Sequence, residues 1–168
     1  MTDQPRLTHV DESGAARMVD VTAKDVTVRT ATATGRVVVA RSVVELLRAG
    51  AMPKGDVLAV ARIAGIQGAK RTPDLVPLCH PIAVHGVAVE LSVADDAVGI
   101  SATVRTADRT GVEMEALTAV TVAALTVVDM IKAVDPAAVI SDIRVEEKTG
   151  GTSGHWQRST GDRAGDER

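Results

Sequence analysis

Two charged residues interrupt a long apolar stretch of this sequence, and their types are those that move protons. Asp129 and Lys132 stand three residues apart in a run that is otherwise almost entirely apolar between Leu117 and Val134. On a helix, this spacing places both charges on one face, and a helix that is apolar on nearly all sides is expected to be buried. The pair is therefore predicted to lie in or beside the core. It would be either a structural ion pair at a subunit contact or a pair that handles protons.

The same run begins with two acids, Glu113 and Glu115, in the segment 111–115 (GVEME). Acids in a first helical turn suit the helix dipole, which explains them without any ligand. The helix from Glu113 to Asp129 would span about 24 Å at 1.5 Å per residue, so one small substrate can hardly touch both ends within one chain. If both ends are functional, the site must combine the start of one helix with the end of another, most simply from a second subunit.

A segment flanked by prolines, residues 76–81 (VPLCHP), contains Cys79 and His80. Pro77 and Pro81 disfavour a helix and predict a stiff, extended backbone. Adjacent residues of an extended segment point to opposite faces, so a nucleophile and base pair is not expected here. Cys79 is predicted to pack inward and His80 to face a cavity, although a histidine satisfied within the core is the alternative. Zinc is not indicated, because the single cysteine and the scattered histidines lack ligand spacing.

Several basic residues stand where an anion could bind. Lys54 is placed at the predicted start of a helix, where free backbone N–H groups favour phosphate. Lys70 and Arg71 come at the end of that helix, where compensation of the dipole explains them equally well. Lys148 opens a loop rich in glycine and hydroxyl groups, residues 148–154 (KTGGTSG), which can fold its N–H groups around an anion. A mobile tail has the same composition.

The elements that must position these residues follow from periodicity and turn signals. They are one bulged strand or two strands over 26–40, a helix over 43–49 capped by Ser42, a helix from Pro53 or Lys54 to Arg71, strands over 83–93 and 98–107, a helix over 111–134 and a strand over 139–147. This order predicts an α+β fold, a ferredoxin-like antiparallel sheet with helices packed on one face. Residues 1–15 are predicted to be a flexible N-terminal arm, 16–156 a single catalytic domain and 157–168 a mobile C-terminal tail.

Composition excludes several classes of function. The net charge of −3 gives no basic field, and the chain has no Tyr, no Phe and one Trp, so it lacks the rings on which nucleic-acid binders stack bases. The longest nearly apolar stretch, within 116–128, is broken by threonines and is shorter than the roughly 20 residues of a membrane span. One cysteine and no secretory signal favour a cytoplasmic protein. We expect an enzyme for a phosphorylated small molecule, with neither nucleic acid nor membrane as a partner.

Four long segments follow one another along the chain: 7–21 (LTHVDESGAARMVDV), 54–82 (KGDVLAVARIAGIQGAKRTPDLVPLCHPI), 111–134 (GVEMEALTAVTVAALTVVDMIKAV) and 148–154 (KTGGTSG). Together they resemble the molybdenum-cofactor biosynthesis protein C family, the cyclic pyranopterin monophosphate synthases. The resemblance implies a ferredoxin-related domain that assembles as a homohexamer, a trimer of dimers, with sites at subunit contacts. It implies a phosphorus–oxygen lyase that converts (8S)-3′,8-cyclo-7,8-dihydroguanosine 5′-triphosphate, a cyclised dihydro-GTP, to cyclic pyranopterin monophosphate and diphosphate.

The resemblance also implies roles for individual residues. Asp129 would be the catalytic acid or base, with Lys132 and Lys54 acting beside it. The implied substrate-binding residues are Leu78, Cys79, His80, Glu113, Met114 and Glu115, together with Arg29, Lys70, Arg71 and Lys148 as triphosphate ligands. Thr152 stands where the family often has a second lysine, and this departure weakens the part that the loop is expected to play in phosphate binding.

Two other functions use the same residues. A nucleotide-binding regulatory module would hold the ligand without turnover, and a structural oligomerisation domain would need Asp129 and Lys132 only for assembly. A sensor needs no proton-transfer pair, so these two residues favour an enzyme. No metal ligand set is indicated. Glu113, Glu115 and Asp129 could hold Mg²⁺ through water beside the triphosphate, but no compact motif requires it.

Overall fold

The computed structural model describes residues 13–159, which build one five-stranded antiparallel sheet with helices packed on it. The elements in chain order are β1 (Thr27–Val38), α1 (Arg41–Arg48), α2 (Val57–Lys70), α3 (Thr72–Leu75), β2 (Val84–Val93), β3 (Ala97–Asp108), α4 (Glu113–Ile131), β4 (Val139–Thr149) and β5 (Trp156–Gln157). The strands lie in the order β2-β3-β1-β4-β5 across the sheet. The predicted α+β, ferredoxin-like class is confirmed.

β1 is the central strand, because it pairs with both β3 and β4. Its inward side chains are small, and Ala31, Ala33 and Val37 are buried in the core that α4 closes. The alternate side chains lie on the other face, where the Thr32 and Thr103 hydroxyls are hydrogen-bonded at 2.9 Å. The predicted choice between one bulged strand and two resolves to one strand, with irregular register against β4.

α2 and α4 lie on the same face of the sheet and contact each other through glycines. A Cβ atom at Gly65 would stand 2.9 Å from the carbonyl oxygen of Ala119, and one at Gly68 would stand 2.9 Å from the side chain of Val122. The buried core contains alanine, valine, isoleucine and methionine. A chain with no Phe or Tyr thus fills its core by bringing backbones close together.

The start of α1 differs from the prediction. The helix begins at Arg41, and its N-cap residue, Ala40, has no side chain that could cap it. Asp135, which follows α4 in the chain, accepts a hydrogen bond from the Ala40 N–H at 2.7 Å and takes the place that Ser42 was predicted to fill. The capping group therefore comes from a distant part of the sequence.

The start of α2 was also predicted too early. Asp56 caps this helix by accepting a hydrogen bond from the Ala59 N–H at 2.9 Å. Gly55 has φ +90°, in the left-handed region, and separates Lys54 and Pro53 from the helix. Lys54 is consequently not at a helix N-terminus, and the expectation that free N–H groups there would favour phosphate is wrong.

α4 has the length and composition of a membrane-crossing helix, although the longest apolar stretch was predicted to be too short for one. Half of it is buried against the sheet and α2, as in the core helix of a globular fold. Of the predicted arm and tail, residues 1–12 and 160–168 lie outside the described part of the chain. Within it, Trp156 pairs with Lys148 and Gln157 pairs with Glu147. The predicted domain limits stay predictions.

Candidate active site

A cavity of about 380 Å³ lies at the N-terminal end of α4, and we call it the helix compartment. Its lining residues are Val19, Val21, Lys24, Leu78, Cys79, His80, Thr110, Gly111, Glu113, Met114 and Glu115. The structure thus brings the predicted segments 78–80 and 113–115 together in one chain. Val19, Val21 and Lys24 were missed from the sequence, although Val19 and Val21 belong to a segment that carries the family resemblance.

Residues 76–79 form a turn, in which the Cys79 N–H donates a hydrogen bond to the Val76 carbonyl at 3.0 Å. This turn leads into the Cys79 and His80 side chains. Both Cys79 and His80 line the helix compartment, so the prediction that they face opposite sides is wrong. His80 Nε2 lies 2.7 Å from the Val19 carbonyl oxygen. Because a carbonyl only accepts, Nε2 carries a proton and donates it in this hydrogen bond.

Two groups that can lose a proton line this compartment, the buried Glu115 and the half-buried Cys79. Glu115 is 3% exposed, and burial raises the pKa of its carboxyl to about 7, with the charge of Glu113 acting in the same direction. Burial, and then the Glu115 charge, raise the pKa of the Cys79 thiol above its usual range. Cys79 is therefore an uncharged wall residue, whereas Glu115 can exchange a proton near neutral pH.

A second cavity of about 250 Å³, which we call the loop compartment, adjoins the first. It is lined by Lys24, Arg29, Thr30, Gly111, Val112, Glu113, Lys148, Thr149, Gly150, Thr152 and Ser153. Lys24, Gly111 and Glu113 line both compartments, so these residues form the boundary. The loop compartment combines cations, hydroxyl groups and a glycine-rich backbone, which is the combination that binds anions.

The glycine loop is held against β1 by its two consecutive glycines. Gly150 and Gly151 have φ +92° and +70°, and side chains there would collide with the Val28 carbonyl and the Arg29 guanidinium. Arg29 in turn donates to two carbonyl oxygens at the end of β3, at 2.9 and 3.1 Å. Arg29 therefore anchors the loop as well as lining the compartment.

The boundary holds an ion pair. Lys148 Nζ lies 2.9 Å from Glu113 Oε1, and the two side chains are 33% and 25% exposed. The Glu113 carboxylate is turned over Gly111, where any side chain would collide with it. Lys148, a predicted phosphate ligand, is thus paired with Glu113.

A separate cluster forms at the other end of α4 around Asp129. Lys132 Nζ lies 2.7 Å from its Oδ1, and Lys54 Nζ lies 2.9 Å from its carbonyl oxygen and 3.5 Å from its Oδ2. The hydrogen bond from Lys132 and the charges of both lysines hold the pKa of Asp129 below its usual range. The three side chains are 44–59% exposed, so the prediction that this pair lies in or beside the core is wrong. The sheet and α2 cover only part of the helix and leave this side open.

The remaining predicted ligands lie elsewhere. Lys70 and Arg71 are exposed at the end of α2 and line neither compartment. Among residues 13–159, no three His, Cys, Asp or Glu side chains converge where a metal ion could be held. Glu113 and Asp129 lie near opposite ends of α4, so these two carboxylates do not meet within one chain, and the Mg²⁺ prediction stays a prediction.

Comparison with known proteins gives one consistent class. The profile of the MoaC family matches residues 18–151, which include the helix compartment, the Asp129 cluster and all of the loop compartment except Thr152 and Ser153. The chain is similar to the cyclic pyranopterin monophosphate synthase of Streptomyces coelicolor (76% identical over 156 residues, 93% of this chain and 92% of the relative). It is also similar to that of Nocardioides sp. (70% over 162 residues, 94% and 99%) and to synthase 2 of Mycobacterium tuberculosis (60% over 152 residues, 90% and 91%).

These matches, together with the fold and the polar cavities, define an enzyme of molybdenum cofactor biosynthesis, of the lyase class. The chain belongs to the MoaC family. The resemblance that the four sequence segments indicated is confirmed.

Proposed function

We propose that the chain is a cyclic pyranopterin monophosphate synthase that converts (8S)-3′,8-cyclo-7,8-dihydroguanosine 5′-triphosphate to cyclic pyranopterin monophosphate and diphosphate. One observation carries the proposal beyond the family match. The helix and loop compartments meet at Glu113, so that a cavity suited to a polar ring opens directly into one suited to a chain of phosphates. A molecule with a pterin-like ring and a triphosphate has this division of chemistry.

The ring would lie in the helix compartment. Leu78, Cys79 and Met114 offer aliphatic and sulfur contacts in place of aromatic stacking. His80 offers a ring that hydrogen-bonds, and Glu115 offers a carboxyl group whose pKa burial raises to about 7. A ring bearing several N–H and carbonyl groups is recognised by such groups through hydrogen bonds.

The triphosphate would lie in the loop compartment beside Arg29 and Lys148. Formation of the cyclic phosphate displaces diphosphate, and cations placed at the leaving group stabilise the charge that develops there. To bind phosphate, the Lys148 ammonium group would break its ion pair with Glu113 and form one with a phosphate oxygen instead. Lys70 and Arg71, which line neither compartment, stay predicted ligands that a neighbouring subunit would have to bring into reach.

Asp129 would be the acid or base of the reaction, with Lys132 and Lys54 beside it. Opening and reclosing the ring requires proton transfers to nitrogen and oxygen. The lowered pKa of Asp129 makes it a carboxylate at neutral pH, and the two ammonium groups supply protons or balance charge. This cluster and the compartments stand at opposite ends of α4, a helix of 19 residues.

We further propose that two subunits complete each site, within a homohexamer arranged as a trimer of dimers. The α2–α4 pair exposes Val60, Ile63 and Leu125, whose side chains are 44%, 61% and 60% exposed. Exposed apolar side chains on a helix pair are a common mark of a contact surface. Leu125 precedes Asp129 by one helical turn. A subunit that covers Leu125 with the N-terminal end of its own α4 would bring its compartments close to the Asp129 cluster.

The deciding experiment incubates the purified protein with the cyclised triphosphate and measures diphosphate and cyclic pyranopterin monophosphate together. Turnover with both products in equal amounts is expected. A regulatory module would bind the compound, detected by calorimetry, and release no diphosphate. Heat-inactivated protein and GTP in place of the cyclised compound are the matched controls.

The same assay addresses the metal. Mg²⁺ could accompany the triphosphate by binding its oxygens rather than a protein site. In that case EDTA would lower the rate, and added Mg²⁺ would restore it. A cytoplasmic location belongs to the same proposal and is checked by fractionating cells that contain the tagged protein.

A further inference from the structure

Lys24 stands at the boundary of the two compartments, and it lines both. Lys24 is exposed, and its ammonium group makes no hydrogen bond or ion pair with any of the described residues. An ammonium group offers three donors and no acceptor. Lys24 therefore has three donors to offer at the boundary between the two cavities.

The backbone around Lys24 is fixed at several points. The Val19 carbonyl contacts His80 Nε2 at 2.7 Å, and the Lys24 N–H donates to the Val21 carbonyl at 3.0 Å. Arg109 Nε donates to the Lys24 carbonyl at 2.8 Å. The segment is thus tied to the helix compartment at one end and to the end of β3 at the other, which places Lys24 at the boundary.

The other cations of the loop compartment are engaged. The Arg29 guanidinium donates hydrogen bonds to two carbonyl oxygens and packs against the glycine loop. Lys148 is paired with Glu113 at 2.9 Å. A phosphate arriving at either residue must replace or share an existing contact, whereas Lys24 can bind it without losing one.

We propose that Lys24 is a substrate-binding residue that holds the phosphate nearest the ring. The identity of the ligand rests on the proposed function. With the ring in the helix compartment and the outer phosphates beside Lys148, the phosphate at the boundary is the one attached to the sugar-derived carbon. That phosphate is kept in the product, while the outer two leave as diphosphate. Lys24 thereby holds in place the phosphate at which the new ring closes.

The test measures binding of inorganic triphosphate and of diphosphate by calorimetry, using Lys24→Ala, Lys24→Arg and Arg105→Ala. Arg105 is an exposed cation of β3 that lines neither compartment, so its variant removes the same charge elsewhere. Loss of one hydrogen bond to a charged group at an exposed site corresponds to about tenfold weaker binding. We expect that loss for triphosphate in Lys24→Ala, a smaller loss for diphosphate, and wild-type behaviour in Lys24→Arg and Arg105→Ala.

Three results would overturn the inference. The first is that Lys24→Ala binds triphosphate as tightly as the wild type does. The second is that Lys24→Ala loses as much affinity for diphosphate as for triphosphate. The third is that the wild type does not bind triphosphate. In turnover, Lys24→Ala should raise KM for the cyclised triphosphate by a similar factor, and an unchanged KM would contradict the role. If triphosphate binds through Lys24 while the wild type releases no diphosphate from the cyclised compound, the proposed function fails and the anion site stands.

Discussion

Glu115 and Asp129 belong to the same helix, yet their surroundings shift their pKa values in opposite directions. Glu115 is enclosed, and burial raises its pKa to about 7. Asp129 is exposed, and the hydrogen bond from Lys132 with the charges of two lysines lowers its pKa. Carboxyl groups whose pKa values are driven apart are suited to opposite roles, one holding a proton and the other accepting one.

Asp129→Asn should abolish most of the turnover. The amide keeps the shape but cannot accept a proton, and general acid–base catalysis contributes about 10²–10⁴-fold to a rate. Lys132→Ala is expected to act in the same way. Because both side chains are exposed, neither change should lower the melting temperature noticeably or alter the oligomer seen by size-exclusion chromatography.

Glu90→Gln is a suitable control for these variants, because Glu90 is an exposed acid of β2 away from both compartments. Near-normal kcat in Asp129→Asn would refute the catalytic assignment. Loss of the oligomer in Asp129→Asn, without a direct effect on the rate per assembled site, would support a structural oligomerisation role instead.

Glu115 should make stability fall as pH rises through the neutral range. Its pKa is about 7 in the folded protein against the usual 4.5, so the folded state keeps a proton that the unfolded chain has lost. The associated stability is fully present below pH 4.5 and is lost as pH rises towards and through 7, by an amount on the order of 2–3 kcal/mol. Glu115→Gln removes this titration.

The measurement is the difference in melting temperature between Glu115→Gln and the wild type at pH 5, 6, 7 and 8. The difference should move in favour of the variant as pH rises. A constant difference across this range would show that Glu115 is ionised in the folded protein. Glu90→Gln, the same substitution at an exposed acid of β2, is the control variant.

Most residues of the two compartments could be identified from the sequence alone. They lie in short motif segments, such as 111–115 and 148–154, whose residue types and order can be read directly. Sequence reasoning misplaced Asp129 and missed Lys24. Exposure of Asp129 depends on which side of α4 the sheet leaves uncovered, and the position of Lys24 depends on a contact with Arg109 far along the chain. Neither fact is encoded in local periodicity.

At the scale of elements, the closest helix contact in the core is the one between α2 and α4. Gly65 and Gly68 let the two backbones approach until a Cβ atom would lie 2.9 Å from its neighbour. α4 carries residues of the helix compartment at its start and Asp129 near its end. Its distance from α2 therefore depends on two glycine positions in that helix.

Gly65→Ala should destabilise the protein by about 1–3 kcal/mol, the usual result of overpacking. The added methyl meets the Ala119 carbonyl, a backbone atom that cannot turn aside, and this cost outweighs the roughly 1 kcal/mol that alanine gains over glycine in a helix. Chemical denaturation gives the value. Gly86→Ala is the matched control, because the nearest atom to a Cβ there is at 3.9 Å. Equal stability of the two variants would contradict the close approach.

Element order could be predicted because turns and β-branched runs alternate with helical periodicity. Helix starts could not. Asp135, which follows α4, accepts a hydrogen bond from the backbone at the start of α1. α2 begins only after its cap residue, Asp56, because Gly55 adopts a left-handed conformation. When the capping residue is distant in sequence, the residues next to the helix give no signal of where the helix begins.

At the scale of the whole molecule, division of the site between subunits can be tested by mixing two inactive variants. His80→Ala damages the helix compartment, and Asp129→Asn damages the far end of α4. In a mixed pair with shared sites, one site carries both changes and the other carries neither. Unfolding and refolding an equal mixture should then restore about a quarter of wild-type activity, since half of the pairs are mixed and each has one intact site.

Each variant refolded alone is the control and should stay inactive. If the mixture also stays inactive while mixed oligomers form, each site lies within one chain. The proposal of sites shared across a subunit contact would then be wrong, and the exposed α2–α4 side chains would need another explanation.

The short strand β5 contains the only aromatic residue of the chain, Trp156. It pairs in register with Lys148, and the Arg158 guanidinium lies 5.5 Å from its ring centre. With no Tyr and no second Trp, ultraviolet emission from this protein originates at a single position, one strand away from the lysine of the loop compartment. Filling that compartment should therefore change the natural fluorescence, so anion binding can be followed optically without a dye or a label.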